Sequence, residues 1–277
     1  MAGPVLLLLD DPTRVLDVAT PLLRADDLGV VRGEAVFETL RVAGGRPAFL
    51  DLHLRRLRRS ADRVGIELPE GWEQLATAAA ATQDDGMLRL TCTKGAPGAS
   101  PVGFAVAGPL PPETVRGREH GIRVATLTLG VAADVRRDAP WLLGGVKSTS
   151  YAVNMATQRA AQQRGLDDAI WVSADGEVLE APTATVAVVR GGRVATPPAD
   201  EVGILPGTTA EATLARSPVP VDVRRVRADE LAEADEVMLL SSVRGVAPVV
   251  ELDGRRLAVG PVTTALRAAF EAAVRGA

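Results

Sequence analysis

Apolar positions along the chain follow two periods, two residues and three to four, and the period changes at clusters of glycine and proline. The run VLLLL at 5 to 9 reads as a buried strand, closed off at once by Asp10 and Asp11. VFETLRVAGGRPAFL, 36 to 50, has two apolar-rich runs around Gly44-Gly45, the pattern of a β-hairpin. Beyond it Leu50, Leu54, Leu57, Ala61 and Val64 recur at helical spacing and form one apolar stripe, while Arg55, Arg56, Arg58, Arg59 and Arg63 fill the remaining face. A second helix is predicted around Trp72 to Thr82. A strand follows at Met87 to Thr93, and an apolar run at 102 to 107 is placed to pair with it.

GPLPPETVRG, Gly108 to Gly117, turns to proline, glycine and charge and is the clearest candidate linker. The boundary is placed near residue 115, which gives a small α+β domain over 1–115 and a larger β-rich domain over 116–277. In the second part a strand at 121 to 129 precedes a polar loop and LLGGVKSTSY; a helix from Tyr151 to about Arg164 then stops at Gly165. AIWVSADGEVLEAPTATVAVVRGGRVATPP holds three strand-like runs split by Asp-Gly and Gly-Gly turns, the pattern of a β-meander. GILPGTTAEATLA, 203 to 215, opens a helix at Thr208 or Thr209. EVMLLSS, 236 to 242, is a buried strand ending in two serines, and an amphipathic helix spans about Val262 to Arg275. Strands clustered and separated by helices make the class α+β.

Composition narrows the chemistry. Lys+Arg 31 against Asp+Glu 35 leaves a net charge of -4, which excludes a strongly basic nucleic-acid binder. One cysteine, Cys92, cannot form a multi-thiolate site, and two histidines, His53 and His120, leave little ligand stock for zinc, so no metal is expected. The apolar run at the start is too short to span a membrane and lacks a basic flank, so a cytoplasmic protein is expected. Among the basic side chains only Lys94 and Lys147 are lysines. A coding bias that replaces surface lysine with arginine leaves lysine where amine chemistry is needed, which arginine cannot supply.

Lys147 follows an apolar pair and two glycines and precedes a hydroxyl-rich segment. Burial there would disfavour its charged form and free the amine as a nucleophile. A surface lysine beside a turn is the plainer alternative. Tyr151, the only tyrosine, lies four residues on, within one helical turn if the helix extends back that far. Glu180 closes the run EVLE, either as a solvent-facing strand end or as a carboxylate for a pyridinium nitrogen. Thr208 and Thr209 cap a helix or, with its N–H groups, receive a phosphate. Ser242 adds a hydroxyl at a strand end.

RGEAVFETLRV, HLRRLRRSA, GGVKSTSYAVNMA, DGEVLEAPTATV, ILPGTT and LLSSVRGVAPV, in this order, resemble the class IV aminotransferase family, the two-domain fold-type IV enzymes of pyridoxal 5'-phosphate (PLP), over nearly the whole chain. The resemblance implies that Lys147 holds PLP covalently and that Tyr151 hydrogen-bonds its phenolic oxygen. It places Arg56, rather than Arg55, on the phosphate, with Thr208, Thr209 and Ser242 completing the phosphate site and Glu180 facing the ring nitrogen. It also implies a homodimer acting on a small amine or amino-acid-like substrate. APWLLGGVKSTSYAVNMA and LLSSVRGVAPV look most like the 4-amino-4-deoxychorismate lyases of folate synthesis, where Thr39 corresponds to the acid for the leaving group. The alternative is an aminotransferase of D-amino acids, branched-chain amino acids or (R)-amines. The loop KGAPGASPVG, 94 to 103, lacks the arginine expected of a D-amino-acid carboxylate trap, which leaves Lys94 or Arg32 as substitutes.

Overall fold

Where the hairpin and the helical stripe meet, the two periods bury one another. The computed structural model describes residues 3–276. The chain divides into two compact units, one of Met1–Pro111, Val146–Tyr151 and Ala273–Ala277, the other of Pro112–Gly145 and Ala152–Ala272.

In the first unit β1 (Val5–Leu8), β2 (Leu16–Asp17), β3 (Ala35–Ala43), β4 (Arg46–Pro47), β5 (Asp85–Thr93) and β6 (Val102–Gly108) form an antiparallel sheet in the order β2-β1-β6-β5-β3-β4. Its helices are α1 (Leu28–Val31), α2 (Leu50–Val64) and α3 (Trp72–Ala80). Strand alternation puts Val36, Glu38, Leu40 and Val42 on one face of β3. The three apolar members pack into a core with Leu54, Leu57 and Ala61 of α2 and Leu75, Ala76 and Ala79 of α3. Phe37 and Thr39 take the opposite face, across from Thr91 and Arg89 of β5. The predicted hairpin is present, with a second arm of two residues, Arg46–Pro47, and one more backbone bond beyond it from the Ala48 N–H to the Arg41 carbonyl at 2.8 Å.

β4 covers only the Val42–Ala43 end of β3. The other end of that edge is filled by the Lys147 segment: Ser148 bridges Val36, the Phe37 N–H donates to the Lys147 carbonyl at 3.1 Å, and the Thr149 N–H donates to the Ala35 carbonyl at 2.9 Å. Lys147 therefore belongs with the N-terminal unit, not with the second piece in which a simple cut near residue 115 places it. An open strand edge satisfies its backbone groups by recruiting a distant stretch of chain.

The second unit contains α4 (Pro112–His120), β7 (Ile122–Thr128), α5 (Val135–Asp138), α6 (Ala152–Gln163), β8 (Asp168–Val172), β9 (Thr185–Arg190), β10 (Arg193–Thr196), α7 (Ala199–Val202), α8 (Thr208–Leu214), β11 (Val221–Val223), α9 (Ala228–Ala232), β12 (Glu236–Ser241), β13 (Gly245–Leu252), β14 (Arg255–Arg256) and α10 (Pro261–Gly276). Its sheet runs β11-β10-β9-β12-β13-β7-β8, with β14 on β13. The structure departs from the sequence pattern at two places. Most of the expected linker is helix, since Pro112 opens α4 with the φ a first helical turn needs and Glu113 follows in that turn. The meander is broken as well: β9 and β10 pair antiparallel, but β8 pairs parallel with β7 and lies at the far end of the sheet. Between β7 and β8 the chain passes through α6, the long crossover that parallel neighbours require.

Candidate active site

Lys147 lies in extended chain just before α6, which starts at Ala152, so the Lys147–Tyr151 pair is not a helical one. Even so, Lys147 Nζ donates to the Tyr151 hydroxyl at 3.0 Å. Lys147 is 9% exposed. Its Nζ stands 4.3 Å from the centroid of the Phe37 ring, and that ring meets Tyr151 edge-on at 5.0 Å. Phe37 thus fixes the phenol and screens the amine from water. The Lys147 backbone N–H donates to Ser60 Oγ on α2 at 3.2 Å, which ties the segment to that helix.

Arg56 of α2 is buried against Glu38 of β3. Its Nε donates to Glu38 Oε1 and its Nη2 to Oε2, both at 2.7 Å, and His53 Nδ1 lies 2.6 Å from the same Oε2. Glu38 is wholly buried. Burial alone would push its carboxyl up, but the charge and hydrogen bonds of Arg56, and then of His53, outweigh this and hold it at about 2, against an ordinary 4.5. Burial pushes His53 below its ordinary value despite the Glu38 carboxylate. A carboxyl lowered by folding stabilises the fold fully above its unfolded pKa and loses that contribution as the pH falls through the folded one. The melting temperature of the native protein should therefore exceed that of Glu38→Gln by a margin that narrows between pH 4.5 and about 2, as thermal melts across that range would show.

Thr39 shares its sheet face with Phe37 and stands opposite Arg89. Arg89 is a residue that the sequence reading missed. Half-buried in the middle of β5, it stacks its guanidinium 3.8 Å from the Phe37 centroid, and no carboxylate among the described residues pairs with it. Desolvation lowers its pKa, offset in part by Tyr151. A lone charge in the apolar run MLRLTCT was the available signal. Lys94, by contrast, is paired with Glu34, and Arg32 is exposed. Cys92 is buried, with its thiol pushed up to about 12 by burial and then by Asp27.

In the second unit Glu180 is 9% exposed and held on both oxygens: Oε1 accepts from Arg136 Nη1 at 3.1 Å and Oε2 from the Leu205 N–H at 3.1 Å. Leu205 leads into α8, where Thr208 and Thr209 are buried in the first turn. Gly207, just before them, rests on Thr185, and a Cβ at 207 would come within 2.1 Å of Thr185 Oγ1. Thr185 in turn stands opposite Leu240 of β12, two residues before Ser242. The structure so brings the Thr208–Thr209 turn and the Ser242 end of β12 to one end of β9. No group of three His, Cys, Asp or Glu among the described residues could hold a metal, and no described helix is long and apolar enough to cross a membrane.

In the first unit a shielded amine stands beside a phenol, a pair suited to holding an aldehyde cofactor, and in the second a carboxylate is fixed on both oxygens by Arg136 and by the chain that leads into α8. The model of the amino-transferase class IV family matches residues 35–252. The chain belongs to this family. Enzymes of the family use PLP, and in this one the fold is that of the fold-type IV aminotransferases. It is 37% identical over 278 residues, 94% of this chain and 96% of the other, to a bifunctional aminodeoxychorismate lyase / D-amino acid transaminase of Mycobacterium tuberculosis. Among solved structures it matches a hypothetical aminotransferase from Mycobacterium tuberculosis in its α-ketoglutarate- and PMP-bound form, with TM-score 0.92 and 36% identity over 98% of this chain and 99% of that one. A fold IV transaminase, CpuTA1, from Curtobacterium pusillum matches with TM-score 0.88 and 39% identity over 99% of each chain.

Proposed function

We propose that this enzyme is a lyase that converts 4-amino-4-deoxychorismate to 4-aminobenzoate and pyruvate, with transamination of D-amino acids as the second reaction open to the same residues. The observation that carries this reading is the likeness, over nearly the full length of both chains, to the bifunctional relative whose name joins the two activities. The second reaction is favoured by the α-ketoglutarate- and PMP-bound structural relative.

PLP, when bound, supplies an electron sink for charge that develops on the carbon bearing the substrate amine. Lys147 holds it covalently, with the Tyr151 hydroxyl directed at its phenolic oxygen. Arg56 grips the phosphate with Thr208, Thr209 and Ser242, and Glu180 faces the ring nitrogen. Once displaced by the substrate amine, Lys147 Nζ takes the proton from the amine-bearing carbon. The bond from the neighbouring ring carbon to the enolpyruvyl oxygen then breaks, and the electron pair leaves on that oxygen. The Thr39 hydroxyl donates to it. The ring becomes aromatic, the proton held by Lys147 restores the Thr39 hydroxyl, and the released enol becomes pyruvate as its carbon gains a proton and its oxygen loses one.

Arg89 is the group that receives a substrate carboxylate. It lies across from Thr39 and beside Phe37, it is desolvated, and the loop from Lys94 offers no arginine of its own. Truncating one partner of such a pair costs about 2–5 kcal/mol. Arg89→Ala should raise KM for the carboxylate substrate by about thirtyfold or more, with a smaller change in kcat; an unaltered KM in steady-state assays would assign the carboxylate to another residue.

The working form is a homodimer in the cytoplasm. The exposed Trp141 (77%) and Leu142 (48%) support the dimer, since exposed apolar side chains of this size mark interaction surfaces. The activity is tested by giving the PLP-loaded enzyme aminodeoxychorismate without any keto acid and, separately, D-alanine with α-ketoglutarate. Release of 4-aminobenzoate and pyruvate in the first mixture is expected. If only the second mixture reacts, the enzyme is an aminotransferase.

A further inference from the structure

Glu38 and His53 have no part in the chemistry above, yet Glu38 places a full negative charge in the middle of an apolar face. Val36, Leu40 and Val42, which share that face of β3, are fully buried hydrophobics of the core. A buried ion pair contributes little net stability over well-packed apolar residues, because desolvation of both charges offsets their attraction. What such a pair does supply is geometry. The two bonds at 2.7 Å from Nε and Nη2 to the two oxygens of one carboxylate fix the plane of the guanidinium, which four side-chain torsions would otherwise leave free. His53, one turn before Arg56 on α2, holds the carboxylate in turn through Nδ1. One turn beyond Arg56 on the same helix, Ser60 accepts the Lys147 backbone N–H. A single helix face thus carries both the arginine and the anchor of the lysine segment.

We propose that Glu38 is a positioning residue, clamped by His53, that holds the Arg56 guanidinium in the one orientation in which it receives the phosphate of PLP. This rests on the reading that Arg56 grips that phosphate. A carboxylate that serves only the core would leave the affinity for phosphate unchanged. One that serves Arg56 acts on the phosphorylated ligand alone, so pyridoxal, which has the same ring and aldehyde but no phosphate, is the natural control.

The experiment measures the dissociation constants of PLP and of pyridoxal for the apoenzyme, for Glu38→Gln, Glu38→Asp, Arg56→Ala and the double variant Glu38→Gln/Arg56→Ala. Loss of an outer partner that orients a binding group weakens binding by about ten- to a hundredfold. Glu38→Gln should weaken PLP by at least about tenfold and leave pyridoxal unchanged, and it should add nothing once Arg56 is already alanine. Glu38→Asp keeps the charge but reaches too short for both nitrogens. It should show a smaller loss confined to PLP, and it carries the test if Glu38→Gln does not fold. Equal losses for PLP and pyridoxal, or aspartate equal to the native protein, would overturn the positioning role. If Arg56→Ala weakens PLP while Glu38→Gln does not, the proposal fails and the phosphate reading stands; if Arg56→Ala itself leaves PLP affinity intact, it is the phosphate reading that fails.

Discussion

Lys147→Arg should abolish turnover and covalent cofactor while leaving the fold in place. Arginine keeps the positive charge and most of the length, but its delocalised guanidinium stays protonated and cannot act as the amine nucleophile at neutral pH. The segment is held by backbone bonds with Phe37 and Ala35 and by the Lys147 N–H on Ser60 Oγ, none of which uses the amine. Turnover should fall by at least about 10⁴-fold. The visible absorbance of the bound cofactor should disappear, and the melting temperature of the cofactor-free protein should stay within a few degrees of native. Lys94→Arg is the control. It retains its partner charge in Glu34, so activity and colour should both persist.

Glu180→Gln should lower kcat by about a hundredfold or more with PLP still attached. The side chain is held by two donors, Arg136 and the Leu205 N–H, and glutamine can keep its shape while losing its charge. A neutral amide does not stabilise a protonated ring nitrogen, and without that proton the ring is a poorer electron sink. The substitution also leaves the Arg136 guanidinium without its counter-charge, which adds to the expected effect. Stopped-flow spectra that separate substrate binding from the proton-removal step check this. The loss should fall on the proton-removal step, and an equal loss on binding would show that Glu180 serves the local fold instead.

The elements that decide the site differ in how plainly the sequence shows them. α2 was legible because its stripe from Leu50 to Val64 has one period, and the structure ends it at Gly65, at φ 69. β9, β10 and β12 were legible as apolar runs, but their order in the sheet was not, because alternation says which face a strand buries and nothing about which neighbour it chooses. The same limit hid the attachment of Lys147 to β3. Its contacts are backbone bonds to a strand more than a hundred residues away, which no side-chain pattern records. Motif resemblance named Arg56 and Tyr151, and the structure supplied what holds them: Glu38 for the first, Phe37 for the second. Arg89 escaped because a single arginine in a strand looks like any edge residue until Thr39 and Phe37 are seen beside it.

The central claim is that the chemistry of this enzyme is built around the amine of Lys147, beside Tyr151 and over Phe37. It is tested most directly by reducing the PLP-loaded native protein with borohydride and locating the pyridoxyl group by peptide mass analysis. The account predicts one adduct per chain, on Lys147. An adduct on Lys94, or no adduct in a protein that still turns over its substrate, would contradict it.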